Sequence, residues 1–254
     1  MHAVHLGYPR ISPKHFDLVV PTPEYPIGDA PNVVRIPFAL TPHRAREVEQ
    51  ADRDLLAGYA RPVRLLLIGG PTLYWELSDR RIFRAVRRLL RSAGWDGGSV
   101  IAVGSPRSPP ELLSAVEAML EDSSVQSLMA PIEGPPSYAA LIEAADEIYV
   151  TADSVAMVAD AVMTRKPVGI VAISKSSLGK AVMAIADRVR HGKRLFPRDL
   201  RFFWAALQEQ GFGGTLDEPR ASDPPDFTAE IAQRVRQLLR LPPQPAKAGR
   251  DSDR

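Results

Sequence analysis

Residues 148–171 read IYVTADSVAMVADAVMTRKPVGIV. The outer runs, IYV and VGIV, are short and apolar, as strands buried on both faces are. The segment between them has helical spacing; it opens with Thr151-Ala152-Asp153-Ser154 and closes with Thr164-Arg165-Lys166-Pro167. Strand, short helix and strand in this order make a crossover unit with parallel strands. Packing does not require a carboxylate and two hydroxyls where strand turns into helix, whereas a ligand would use them.

The same alternation extends on both sides. VRLLLIGG (63–70), SVIAVGS (99–105), QSLMAP (126–131) and EIYVT (147–151) read as strands, with PVGIVAI (167–173) as the next. SDRRIFRAVRRLLRSAG (78–94), PPELLSAVEAMLED (109–122) and SYAALIEAAD (137–146) read as the helices between them. Strands alternating with helices of this length predict an α/β domain: a Rossmann-like parallel sheet with helices on both faces. Farther on, 175–193, 198–212 and 227–240 read as helices, the second ending near Gly211, with EPRASDPPD as a connector.

The first 45 residues differ. AVHL, FDLVV and NVVRI are short runs separated by prolines and glycines, predicting two or three strands with tight connections and no helix between them. Two or three strands are too few for a sheet domain with its own core. The stretch HRAREVEQADRDLLAGYA (43–60) reads as helical or linker-like, so the expected organisation is 1–45 as a remnant or the closing strands of an incomplete N-terminal domain and 46–60 as a linker. A Rossmann-like domain would follow at 61–215, then a connector and helix at 216–241 and a disordered proline-rich tail at 242–254.

Bulk properties exclude several classes. The chain has 254 residues, 45% of them hydrophobic and 24% charged, the proportions of an ordinary globular protein. It contains no run near the ~20 apolar residues of a membrane helix. Its N-terminus, MHAVHLGYPR, lacks the basic and apolar regions of a secretory signal. With no cysteine there is no disulfide, thiol nucleophile or thiolate metal site, which fits a cytoplasmic protein. The net charge is only +2, with a pI of about 9.0.

The basic excess is local. Arg80, Arg81, Arg84, Arg87, Arg88 and Arg91 surround an apolar face of Ile82, Phe83, Val86, Leu89 and Leu90. Ser78 or Asp79 could cap this helix and Gly94 would end it. Such a helix either docks on the core with a solvated basic face or touches an anionic membrane surface. Acidic residues elsewhere nearly balance the charge, so no nucleic-acid partner is expected.

Ligands of open parallel sheets bind beyond the carboxyl ends of the strands. Those ends carry Gly69-Gly70-Pro71-Thr72, Ser105-Pro106-Arg107-Ser108-Pro109, Glu133-Gly134-Pro135-Pro136-Ser137-Tyr138 and Thr151-Ala152-Asp153-Ser154. The glycine pair permits close approach of backbone or ligand, yet has neither Walker A nor GxGxxG spacing. Arg107 is the fixed cation of this rim and could hold phosphate bidentately; a solvated loop arginine is the plainer role. Asp153 and Ser154 could cap the following helix, whose free amides also suit a pyrophosphate. Asp160, two turns on, could accept both hydroxyls of a ribose. His2, His5, His15, His43 and His191 are scattered, without HExxH, so no metal is expected; no Gly-x-Ser-x-Gly elbow occurs. Phosphate donors and a diol acceptor without a nucleophile describe a nucleotide-sugar site better than a hydrolase.

LLLIGGPT, the strand ending in SPRSP, and GPPSYAALIEAADEIYVTADSVAMVADAVMTRKPVGIV together resemble the elongated-mitochondria family over residues 15–240. Its plant member is named for mitochondrial fission, and its bacterial members are labelled nucleoside-diphosphate-sugar epimerases or glycosyltransferases. The resemblance implies a GT-B fold, with two Rossmann-like domains facing across a cleft and the C-terminal one holding the donor nucleotide. It also implies that Gly70, Thr72, Arg107, Thr151, Asp153, Ser154 and Asp160 line the donor site; Gly69, Ser105 and Tyr138 join them from the same rim. No cofactor is implied, the nucleotide-sugar being substrate, and no catalytic residue is identified.

This chain departs from the family pattern at four places. Ala159-Asp160 stands for serine-glutamate, Arg165 for glycine and Pro106 for the first of two arginines; the resemblance also implies a full N-terminal domain, of which FDLVV and PNVVRI are expected to be only the closing strands. The leading expectation is a GT-B-like glycosyltransferase of cell-envelope polysaccharide synthesis. A fission-type interaction protein using the arginine helix and a nucleoside-diphosphate-sugar epimerase are the alternatives.

Overall fold

The computed structural model describes residues 2–40, 47–190 and 198–241, the side chains of 186–190 excepted. The strands in chain order are β1 (Val4–Leu6), β2 (Leu18–Val20), β3 (Val63–Leu67), β4 (Trp75–Glu76), β5 (Ser99–Val103), β6 (Ser127–Ala130), β7 (Glu147–Thr151), β8 (Val168–Val171), β9 (Ser174–Lys175) and β10 (Gly214–Thr215). The helices are α1 (Gln50–Ala57), α2 (Asp79–Asp96), α3 (Pro110–Glu121), α4 (Tyr138–Ala144), α5 (Val155–Met163), α6 (Ser177–Arg190), α7 (Leu200–Glu209) and α8 (Phe227–Leu238).

Six strands form one parallel sheet in the order β10-β8-β7-β3-β5-β6. Counted along the chain from β3, that is the doubly wound order 3-2-1-4-5-6, and its direction reverses between β3 and β7. Alternation along β3 builds both layers. Leu65 and Leu67 enter the cluster shared with α4, α5 and α7, where Leu141, Val158, Val162 and Phe203 are buried. Leu66 and Ile68 enter the opposite cluster with Ile82, Val86 and Leu89 of α2 and Leu112 and Val116 of α3. The apolar strands are thus buried on both faces, as their composition predicts.

Several details differ from the sequence reading. Gly94 does not end α2, which runs on to Asp96; Gly97 follows with φ 78° and supplies the left-handed residue that closes a helix. Three strands have no clear sequence signal. Two-residue β4 and β9 pair antiparallel, and β10 adds the sixth strand. All three are too short to show a period.

In the N-terminal segment, β1 and β2 pair parallel, connected by eleven residues that include a 3-10 turn at Pro13–His15. The expected tight connection is excluded because a parallel pair needs a crossover. The third run contributes only a bridge, Val33 to Val19. Within the stretch read as helical or linker-like, α1 is a helix docked on α4: Arg53 meets Glu143 at 2.7 Å, and the Ser137 amide donates to Asp52 at 2.9 Å. The tail 242–254 lies outside the described residues.

The final helix returns to the N-terminal strands. Ile231 of α8 is buried with Leu18, Val20 and Ile36, and Val235 and Leu238 pack around them. Ile231 is the buried residue of this helix, so it carries most of the docking. Ile231→Ala is expected to lower stability by about 2–4 kcal/mol, the cost of a buried large-to-small change. Urea unfolding measures this, and a change under about 1 kcal/mol would show that α8 does not anchor the N-terminal strands.

Candidate functional site

The reversal between β3 and β7 brings the two most suggestive loops side by side at the carboxyl rim. Gly69 donates its amide to Thr151 Oγ1 at 2.8 Å, and Gly70 donates to Asp153 Oδ2 at 2.9 Å. Arg107, from the loop after β5, reaches the same carboxylate oxygen at 3.4 Å and the Gly70 carbonyl at 3.4 Å. Gly69, Gly70, Arg107, Thr151 and Asp153 therefore form one connected cluster.

Both glycines are required by this cluster. A Cβ on Gly69 would lie 2.7 Å from Asp153 Cγ, and one on Gly70 would lie 2.6 Å from the Arg107 carbonyl carbon. The close approach that a glycine pair permits is thus made by Asp153 and the Arg107 backbone. The two turn amides are therefore engaged within the protein. Ser154 caps α5 by accepting from the Met157 amide at 3.4 Å. The amides of Val155 and Ala156, ahead of it, have no intrahelical acceptor, as at any helix start.

Asp153 is buried, while the side chain of its partner Arg107 is 48% exposed. Burial holds the Asp153 carboxyl above its ordinary range, against the lowering effects of the Thr151 hydroxyl, the Gly70 amide and Arg107. Oδ1 is buried without a hydrogen-bond partner of regular geometry among the described residues. The site thus holds one constrained carboxylate and one cation that extends toward solvent.

Ser105 belongs to the cluster through Ser108. Ser108 Oγ accepts from the Ser105 amide at 2.8 Å, and its proton is shared between the carbonyls of Ile68 (2.9 Å) and Gly69 (2.6 Å). Ser108 is buried and fixes the Arg107 loop to the glycine turn. A serine two residues after Ser-Pro is its only sequence signal. Thr72 lies in the next turn, its amide donating to the Trp75 carbonyl at 2.8 Å. Ser176 ties this turn to α6, donating its hydroxyl to the Leu73 carbonyl at 3.0 Å and its amide to that of Tyr74 at 3.1 Å. Beneath the rim, Trp204 Nε1 donates to the Ala152 carbonyl at 2.9 Å and packs edge-on against Trp75 at 4.6 Å. No local pattern announces Ser176 or Trp204, because the contacts span about a hundred and about fifty residues.

Tyr138 and Asp160 form a separate pair: the Tyr138 hydroxyl donates to Asp160 Oδ2 at 3.3 Å. The long connection from edge strand β6 to β7 brings Tyr138 onto α5. Both residues are partly exposed. Among the described residues, no group of three or more His, Asp or Glu side chains is disposed to hold a metal ion. No helix among them is long and apolar enough to cross a membrane.

The family described as Mitochondrial fission ELM1 matches residues 1–239, and the chain belongs to it. No curated protein matches the chain. Among solved structures, a universal stress protein from Archaeoglobus fulgidus aligns at 17% identity and TM-score 0.30, covering 47% of this chain and 98% of that one. MurG from Acinetobacter baumannii aligns at 12% identity and TM-score 0.33, covering 89% of this chain and 61% of that one.

Two outcomes test this account. Gly70→Ala should lower the thermal midpoint by several degrees, since the new Cβ meets backbone rather than a mobile side chain. An unchanged midpoint would show that the turn can move. For Asp153, the folded protein takes up the proton before the unfolded chain does, because burial raises the folded-state pKa. Its contribution therefore grows as pH falls through the raised value and is complete below the unfolded value. In urea unfolding from pH ~7 to ~4, wild type should gain stability relative to Asp153→Asn as pH falls. A constant difference would mean that the carboxyl is not raised.

Proposed function

We propose that the rim between β3 and β7 binds a nucleotide-sugar and that the chain is a GT-B-like glycosyltransferase acting in cell-envelope polysaccharide synthesis. The observation that carries this reading is the convergence of Arg107, the glycine turn and the start of α5 at the point where the sheet order reverses. Doubly wound sheets bind nucleotides at that point.

In this reading the diphosphate takes the outward fork of Arg107 and the free amides of Val155 and Ala156. These donors are fixed before the ligand arrives, and they would stabilise charge that develops on the departing nucleotide. Asp153 positions the site and does not contact phosphate. It holds the Gly70 turn and limits where the Arg107 guanidinium can lie. Thr72 and Ser154 border the same space, with Gly69, Ser105 and the buried Thr151, which holds the Gly69 amide, beneath it. Tyr138 and Asp160 offer a hydroxyl and a carboxylate for the ribose or sugar ring. The α8 contact holds the N-terminal strands to the rest of the chain. The acceptor and its base would belong to the N-terminal side. The domain division expected from the sequence, with the nucleotide held by 61–215, is part of the proposal.

Isothermal titration of the full chain with UDP-, GDP- and CMP-sugars tests the reading. One donor class should bind, and Arg107→Ala should weaken that binding by about tenfold or more, the loss of a charge-assisted hydrogen bond. Absence of heat across all three, with a folded protein, would remove the proposal.

A further inference from the structure

The arginine-rich helix has a second feature that its apolar periodicity conceals. Trp95, near its end, is 91% exposed, whereas Trp75 is buried at 3% and Trp204 is half-buried. Arg80, Arg84, Arg87 and Arg91 are exposed as well. Offsets of 4, 7, 11 and 15 residues from Arg80 place the four arginines and Trp95 within about 80° of one another on an α-helix. They form a single outward stripe roughly 22 Å long. The opposite stripe, Ile82, Ala85, Val86, Leu89 and Ala93, is buried in the core, so the orientation of α2 is fixed.

The neighbouring charges leave this stripe basic. Asp217 pairs with Arg84 at 3.7 Å and Arg88 at 3.0 Å, and Asp96 is taken by Arg64. Arg80, Arg87 and Arg91 make no ion pair among the described residues. Exposed Glu117 and Glu121 belong to the adjacent α3 and Asp122 follows its end, so none of them lies on the stripe.

We propose that the outer face of α2 docks on an anionic lipid bilayer, with the arginines on headgroup phosphates and Trp95 seated at the water–lipid boundary. Basic side chains near an anionic surface each contribute to binding, and the effects add along a row. An indole has an apolar ring and a polar N–H, which suits the interfacial zone and gives no reason for full exposure to water. Between Arg80 and Arg91 the stripe carries arginines alone, without the interleaved aromatic or amide side chains that stack on or read bases. A bilayer uses a row of arginines ended by a single tryptophan, whereas base stacking calls for aromatic side chains set among the cations. This surface shares no residue with the nucleotide-sugar site and stands or falls separately from it.

The test is co-sedimentation of the full chain with phosphatidylcholine vesicles, with and without phosphatidylglycerol, while following tryptophan emission. The protein should pellet with the anionic vesicles and remain in solution with the neutral ones. Its emission should shift blue, a shift that Trp95→Ala abolishes while weakening binding several-fold. Arg87→Glu with Arg91→Glu should weaken partitioning by about tenfold or more, and added salt should weaken it too. Trp95 lies outside the core, so its replacement keeps the test decisive if the double charge reversal unfolds the chain. Equal partitioning onto neutral vesicles, partitioning unaffected by either replacement, or binding to duplex DNA without binding to vesicles would each overturn the proposal.

Discussion

A buried carboxylate reaching across the centre of the sheet is the constraint on which the rim depends. Asp153 leaves the end of β7, accepts the amide of Gly70 beyond β3, and meets Arg107 from beyond β5. Three adjacent strands are thereby joined where their hydrogen-bonded ladders stop. Removing a carboxylate from water costs several kcal/mol unless its oxygens are satisfied. The amide and the guanidinium offset that cost at Oδ2. The carboxylate allows no side chain at position 69, and the Arg107 backbone allows none at position 70.

This dependence explains what could be read before any coordinates. The strands were legible because a strand buried on both faces shows it in composition, as LLLI and VIAV do. The helices were legible through their period. The shared rim followed from the parallel topology alone, so that Gly69, Arg107 and Asp153 could be placed on one edge. Their mutual contacts could not. Whether an amide at Gly70 faces a ligand or a carboxylate is decided by a hydrogen bond across 83 positions in the chain, and no local pattern encodes it. Ser108 was hidden for a related reason, since its hydroxyl works on carbonyls about forty residues away. β4, β9 and β10 fail differently: with two residues each, their pairing is set by what they lie against.

The departures from the family pattern acquire physical content. Arg165, where the resemblance implies glycine, adopts φ 65°, the left-handed conformation that favours glycine after a helix. Its side chain meets Asp223 at 2.6 Å, but both groups are largely exposed, so the pair offsets only part of the strain. Lys166, in the neighbouring Lys-Pro, has a structural role: its ammonium donates to the carbonyls of Ile142 and Glu143 at the end of α4, at 3.0 and 2.6 Å. Burial lowers its pKa, yet three donors on a helix terminus suit the charged form. The most recognisable block of the sequence therefore mixes residues that brace the fold with residues that face the rim.

The two ends of the sheet make the same distinction. At the amino end, Arg64 is buried between Asp96 and Glu147, Tyr149 donates to Glu147 at 2.7 Å, and Asp146 accepts the Val63 amide at 2.7 Å. Charges there are matched and largely withdrawn from water, which serves cohesion and leaves no capacity for a ligand. At the carboxyl end the matching is incomplete. Asp153 Oδ1 lacks a regular partner, half of Arg107 faces solvent, and the first amides of α5 have no acceptor in the helix. Selection for stability alone would favour closing both ends alike. The open end coincides with the reversal of strand order, and the proposed nucleotide-sugar site rests on that coincidence.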